Sequence, residues 1–188
     1  MAADSIKAGT AKAGHPALRL ANAIGKVIDV VAMTIAIACI VVMFFSLMLE
    51  VIVRYVTHTG LGWPNEIPNL LFPWLIMGGI VLAAQRGAHI AAEAIRGFLS
   101  PVQLRILMMG IHLLVAVAFA FLAQLSLQVI AITRMQVFPI TGLGQSWAYM
   151  SMLFGFWGIA LSSLVNLVRV AFAADPSAVQ HTDPEHMT

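Results

Sequence analysis

Four long stretches without Asp, Glu, Lys or Arg divide this chain. They cover residues 30–49, 67–85, 106–133 and 135–168, which are 20, 19, 28 and 34 residues long. A helix rises about 1.5 Å per residue, so about 20 apolar residues cross the roughly 30 Å hydrocarbon core of a bilayer. Because backbone groups find no other partner in that core, each span must be helical. The pattern predicts four transmembrane helices.

The fourth stretch is too long for one upright span and begins as a loop. Pro139, Gly142 and Gly144 fall within its first ten residues, and these residue types mark turns. The fourth helix is therefore predicted to start near Ser146. The predicted spans are residues 28–53, 66–86, 102–133 and 146–170, in a membrane domain of residues 15–173.

The segments between the spans also carry structural signals. Ser100, Pro101 and Gln103 follow the order of a capped helix start, so the third helix should begin near Pro101. Apolar residues recur at near-helical spacing in residues 90–98 and 18–28, which predicts a short interfacial helix in each segment. The predicted fold class is an all-α integral membrane protein, with four transmembrane helices plus short interfacial amphipathic helices.

Basic residues are distributed unevenly between the two sides of the predicted helices. Eight fall on one side: Lys7, Lys12, Arg19, Lys26, Arg86, Arg96, Arg105 and Arg169. Two, Arg54 and Arg134, fall on the other side. Since cytoplasmic loops carry the excess of Lys and Arg, both termini are predicted to be cytoplasmic. The polar tails, residues 1–14 and 174–188, are predicted to be disordered.

The composition supports a membrane protein and limits its chemistry. Hydrophobic residues make up 61% of the chain, charged residues 10%, and the mean hydropathy is +0.93. A soluble domain carries about 25% charged residues, so the natural partner of this surface is the lipid bilayer. The net charge of +2 is too small to indicate nucleic-acid binding. Cys39 is the single cysteine, which excludes a disulfide or thiolate metal cluster within one chain.

No residue pattern in the chain indicates catalysis. The four charge-free stretches hold no Asp, Glu, Lys or Arg, the residues that usually mark ion paths inside a membrane. His112 and His89 lie at different predicted depths, so a haem held between two histidines is not expected. We therefore predict no enzyme activity, no catalytic residues, no metal and no cofactor.

Gln124 and Gln128 lie one turn apart on the third helix. We expect their side chains to form hydrogen bonds to other helices, in preference to contacting a substrate.

Small residues recur every fourth position on two of the predicted helices. Gly79, Ala83 and Gly87 follow this spacing on the second helix, and Ser151 and Gly155 follow it on the fourth. Small side chains let helix backbones approach closely. Both stripes are predicted to be helix-packing faces, either within the chain or against a partner.

Charged and aromatic residues gather where the first helix ends and the second begins. Glu50 and Arg54 are four residues apart, the spacing of an ion pair on one helix face. Tyr55, Trp63 and Trp74 are candidates for the aromatic belt at the membrane boundary. Glu66 begins the second helix, where a carboxylate complements the N-terminal dipole. Position alone therefore accounts for Trp63 and Glu66, although a partner could also bind this end.

The same region resembles the small membrane subunit of the tripartite ATP-independent periplasmic (TRAP) transporters, the Q or DctQ-type subunit. The resemblance covers about forty contiguous residues on a four-helix frame. It departs from the usual pattern where Pro64 and Asn65 leave Glu66 as the only acidic residue of a pair, and where Gln85 replaces a basic residue. The motifs are Glu50-Val51-Ile52-Val53-Arg54-Tyr55-Val56, Trp63-Pro64-Asn65-Glu66, Leu71-Phe72-Pro73-Trp74-Leu75, Gly78-Gly79 and Gln85-Arg86-Gly87-Ala88-His89-Ile90.

The resemblance implies a scaffold subunit of a sodium-coupled transporter. In such systems a periplasmic substrate-binding protein delivers an organic anion, often a carboxylate, to a large TRAP membrane subunit. The resemblance implies a docking or partner surface at Arg54, Tyr55, Trp63, Glu66 and Trp74. It also implies a contact at the cytoplasmic interface, at Arg86 and His89. The alternative is a stand-alone four-helix membrane protein, such as a cytochrome or enzyme anchor subunit or an assembly factor.

Overall fold

The computed structural model describes residues 16–95 and 100–172. All four helices are long and apolar enough to cross a membrane, and no strand occurs among the described residues. This confirms the all-α fold class. A short 3₁₀ turn, Trp63–Asn65, precedes the second helix. The helices are α1 (Pro16–Thr57), α2 (Glu66–Ile95), α3 (Pro101–Thr133) and α4 (Ser146–Phe172).

The helix starts agree closely with the sequence signals. Ser100 Oγ accepts a hydrogen bond from the Gln103 amide at 3.4 Å, and the Gln103 side chain accepts one from the Ser100 amide at 3.1 Å. This reciprocal pair is the predicted capping box of α3. The fourth helix starts at the predicted residue, Ser146.

The two interfacial helices predicted from residues 18–28 and 90–98 are not separate elements in the described part. Residues 18–28 form the first turns of the 42-residue helix α1, and residues 90–95 end the 30-residue helix α2. No proline interrupts either segment, so the backbone hydrogen bonds continue out of the span. The tails at residues 1–14 and 174–188, with Phe98, lie outside the described residues.

Helix α4 is the centre of the bundle. It packs against α1, α2 and α3, whereas α2 and α3 barely touch each other. Half of its most apolar stretch is buried within the chain, against 11–22% in the other three helices. Ile159 of α4 joins Ala32 and Val81 in the main buried cluster. The remaining helix surfaces face outward, as expected for a chain surrounded by lipid or by other membrane helices.

The two small-residue stripes have different surroundings. Ser151 is fully buried on α4, and a Cβ atom built on Gly155 would lie 2.5 Å from Met77 Sδ of α2. In contrast, a Cβ on Gly79 would meet nothing within 4 Å, and Ala83 is exposed. The α4 stripe therefore packs inside the chain, and the described part of the α2 stripe faces away from it. Gly87 belongs to a stretch whose packing is not described.

Polar side chains join the helices at the end of the bundle that holds residues 16–29 and Phe172, called here the tail end. Arg105 of α3 donates to the carbonyl oxygens of Val170 and Ala171 at 3.0 and 2.8 Å. Arg169 of α4 donates to Asn22 Oδ1 of α1 at 2.9 Å. Arg169 occupies the last turn of α4, and Arg105 reaches that turn from α3; cations and donors there satisfy free carbonyl groups. The side chains of Arg86 and His89 lie outside the described part.

Candidate functional site

The opposite end of the bundle is organised by two buried glutamates; we call it the loop end and define it by residues 58–65 and 134–145. The carboxylate of Glu50 accepts hydrogen bonds from the amides of Leu61 and Gly62 at 3.1 and 3.3 Å. Glu50 is only 6% exposed. Backbone N–H groups in a partly buried turn need acceptors, and this carboxylate supplies one.

The predicted ion pair between Glu50 and Arg54 is wrong. Among the described residues Glu50 makes no ion pair, and Arg54 is exposed. The spacing places both side chains on one helix face, but the loop amides lie closer to the carboxylate than the guanidinium does. An exposed pair of this kind contributes little to stability, so the loop contacts prevail.

Glu66, the first residue of α2, joins that helix to the loop between α3 and α4. Its carboxylate accepts hydrogen bonds from the Ile140 amide at 2.9 Å and from the Thr141 amide at 2.8 Å. The Thr141 hydroxyl donates a third at 2.7 Å. Hydrogen bonds to an ionised acceptor are stronger than those between neutral groups. We call these three bonds the Glu66 clamp; it goes beyond complementing the α2 dipole, the role predicted from position.

Further contacts bring the two loops together. Ser46 Oγ of α1 donates to the Pro64 carbonyl oxygen at 2.8 Å. A Cβ built on Gly62 would lie 2.7 Å from Ile140 Cδ1, and Gly62 has a φ of 79°. Only glycine adopts that backbone conformation freely, so both φ and the contact with Ile140 require a glycine here. The loop end is therefore one connected unit rather than two independent turns.

The aromatic residues at this end play two roles. Trp74 Nε1 donates to the Trp147 carbonyl oxygen at 3.0 Å, and its ring lies 5.9 Å from that of Phe154. Trp74 therefore links α2 to α4. The side chain of Trp147 is 57% exposed and that of Trp63 is 38% exposed, as expected for a belt at a membrane boundary.

The five residues predicted as a docking surface fall into two groups. Arg54, Tyr55 and Trp63 are exposed, and Tyr55 is 76% exposed. Glu66 and Trp74 instead make internal hydrogen bonds to the second loop and to α4. Arg54, Tyr55 and Trp63 can therefore touch a partner directly. Glu66 and Trp74 instead hold the second loop and α4 against α2.

Sequence reasoning missed the acceptor role of Glu50 and the partners of Glu66. For Glu50 the sequence does contain a signal, because Ser46 and Glu50 lie one turn apart on α1. In the structure both side chains bond to the first loop. No local signal connects Glu66 to Thr141, which is 75 residues away. Among the described residues, no group of His, Cys, Asp and Glu could hold a metal ion. The arrangement positions loops and offers a surface for binding.

This four-helix architecture matches a known protein family. Residues 43–173 match the family model for the DctQ component of the tripartite ATP-independent periplasmic transporters. The chain belongs to this family. The match covers the loop end, α2, α3 and α4, together with residues 43–57 of α1, which include Ser46 and Glu50. The membership agrees with the resemblance in the sequence motifs.

Individual relatives of this DctQ-family chain support the same assignment. It is 27% identical to a TRAP transporter small permease protein of Haemophilus influenzae over 128 residues, which are 68% of this chain and 78% of that protein. It is 34% identical to the uncharacterized protein y4mM of Sinorhizobium fredii over 122 residues, 64% of this chain. The matched part is only 23% of that relative, which is a much longer chain. No solved structure matches the chain.

Proposed function

We propose that this chain is the small scaffold subunit of a sodium-coupled TRAP transporter that imports an organic anion, a carboxylate. In this proposal a periplasmic binding protein delivers the anion and a large membrane subunit transports it. The family match carries the proposal, because it identifies the chain as a transporter component. The Haemophilus relative, a small permease protein, supports the subunit role.

The geometry supports a scaffold rather than a transport path. The carboxylates near the loop end are engaged by backbone amides of the chain itself. A carboxylate that already accepts two or three internal hydrogen bonds is less available to a travelling cation than a free one. The exposed residues Arg54, Tyr55 and Trp63 provide the surface that a binding protein or a large subunit would contact, held in place by the Glu66 clamp.

The alternative, a stand-alone anchor or assembly factor, has less support. A haem held between two histidines would need both on facing helices, but α2, which carries His89, barely touches α3, which carries His112. The family match also favours a transport complex.

Orientation is the part of the proposal that is simplest to test. The eight-to-two bias in basic residues favours cytoplasmic termini, which would place the loop end in the periplasm. Single cysteines at positions 59 and 180 in a Cys39→Ser background should then differ in intact cells. An impermeant thiol reagent should label position 59 and leave position 180 unlabelled until the membrane is opened. The reverse pattern would invert the proposed topology.

Co-purification tests the function itself. The tagged chain should recover the large membrane subunit produced with it, and deleting the chain should abolish uptake by the three-component system. Purified alone in liposomes, the chain should show no sodium-driven uptake of organic acids. Uptake by the chain alone, or normal uptake in its absence, would contradict the scaffold role.

A further inference from the structure

The outward face of α3 carries two polar side chains that have no partner among the described residues. Gln124 and Gln128 are exposed, and neither makes a hydrogen bond within the described residues. They are four residues apart, and because a helix has about 3.6 residues per turn, both lie on the same side of α3. We call them the glutamine pair.

The other polar side chains in this part of α3 are satisfied by their own helix. Ser126 donates to the Ala123 carbonyl oxygen at 2.7 Å, and Thr133 donates to that of Val129 at 2.8 Å. The exposed Thr34 of α1 behaves in the same way, donating to Val30 at 2.7 Å. The two glutamine amides differ from these side chains: each has two donors and an acceptor, and none of these groups bonds within the described residues.

The glutamine pair lies at hydrocarbon depth. Arg105, held to the last carbonyls of α4, and Arg134, the C-cap of α3, mark the two ends of this span. From their midpoint Gln124 lies about 7 Å and Gln128 about 13 Å along the helix, both within a core about 30 Å thick. Lipid tails offer no hydrogen bonds at that depth, so an amide needs a protein partner there.

The pair continues a stripe along α3 that faces away from α4. Leu113 and Val117 are 54% and 63% exposed, and a Cβ built on Gly110 would meet nothing within 4 Å. Spacings of three, four and seven residues place these three residues and the glutamine pair on one face. Gly110, Leu113, Val117, Gln124 and Gln128 form what we call the α3 outer stripe.

We propose that the α3 outer stripe is the docking face for a transmembrane helix of the large membrane subunit, whose polar groups pair with Gln124 and Gln128. This inference rests on the proposed function. A soluble binding protein cannot reach the pair at its depth. The docked partner is expected to be a different protein and not a second copy of this chain. In the Sinorhizobium relative the matched region is 23% of a much longer chain, so further polypeptide is covalently attached to it.

Photo-cross-linking tests the face directly. The photoreactive residue p-benzoylphenylalanine is placed at position 117 or 124, with position 44 of α1 as a control, since Phe44 is also exposed at 58%. The chain is produced together with its large subunit in native membranes. We expect cross-links to the large subunit from positions 117 and 124 and none from position 44.

Removing the amides provides a second measurement. Gln124→Leu combined with Gln128→Leu should lower the recovered large subunit about threefold or more, since interhelical hydrogen bonds of this kind are modest in strength. Thr34→Val is the control: it removes an exposed polar group of α1 that already bonds to the Val30 carbonyl oxygen of its own helix, so recovery should be unchanged. Because leucine suits a lipid-facing position, the double variant should insert normally.

The outcomes separate the two proposals. If the wild-type chain recovers no large subunit, the proposed function fails and this inference fails with it. If the complex forms but positions 117 and 124 cross-link only to lipid or to a second copy, the α3 outer stripe is not the docking face and the scaffold role stands. Full recovery of the large subunit by the double leucine variant would equally overturn the role of the amides.

Discussion

Glu66→Ala should lower uptake by the assembled transporter about tenfold or more while leaving the four helices in the membrane. The change removes the acceptor for two backbone amides and one hydroxyl of the second loop. These part-buried donors would lose a charged acceptor, and with it the bonds that fix the second loop against α2. Uptake and complex yield, both measured with the three components together, report the result.

A graded series separates the clamp from a simple charge effect. Thr141→Val removes the hydroxyl bond to Glu66 at 2.7 Å and the long bond from the Leu143 amide at 3.5 Å, keeps both amide bonds to Glu66, and should have the smallest effect. Glu66→Gln keeps one acceptor oxygen but turns a donor toward the loop amides, so its effect should be intermediate. A Glu66→Ala variant with full uptake at normal complex yield would show that the clamp plays no part in function.

Gly155→Val should weaken the bundle itself. A Cβ there would meet the Sδ, Cβ and Cγ atoms of Met77 at 2.5 to 3.0 Å, so α2 and α4 would have to separate. Overpacking of this kind costs about 1–3 kcal/mol, which corresponds to a fall of roughly 3–10 °C in the Tm of the chain in detergent. Tryptophan fluorescence can follow the transition.

Gly79→Val is the matched control for that substitution. It makes the same chemical change within a transmembrane helix, but a Cβ at Gly79 meets nothing within 4 Å. The Tm should therefore stay close to that of the unmodified chain. Equal losses of Tm in the two variants would show that the loss follows from putting valine into a helix and not from the contact with Met77.

Local chemistry explains why much of the fold could be predicted. The capping box at Ser100 and the start of α4 at Ser146 follow from residues within one turn of each boundary. At the loop end α1 extends to Thr57, beyond residue 53, where the predicted span ends. Thr57 Oγ1 donates to the Val53 carbonyl oxygen of the last turn, and the helix ends where His58 adopts a φ of 59°.

The candidate site could be predicted only in part, because its contacts are long-range. The motifs picked out Glu66, but not the loop amides to which it binds, 74 and 75 residues further along the chain. Spacing likewise identified Gly79 and Gly155 as small positions without revealing which one faces another helix. A periodic pattern gives the residue types on a face; the tertiary arrangement decides what that face meets.

The central place of α4 has a consequence for biosynthesis. The helix against which the other three pack is synthesised after all of them. While α1 and α2 can pair as soon as both are made, α3 barely touches α2 and must wait in the membrane until α4 arrives. The Glu66 acceptor is likewise made long before Ile140 and Thr141. Because domains form from the N-terminus during synthesis, a nascent chain stopped before Ser146 would expose an unpaired α3 and an open loop end to the quality-control machinery.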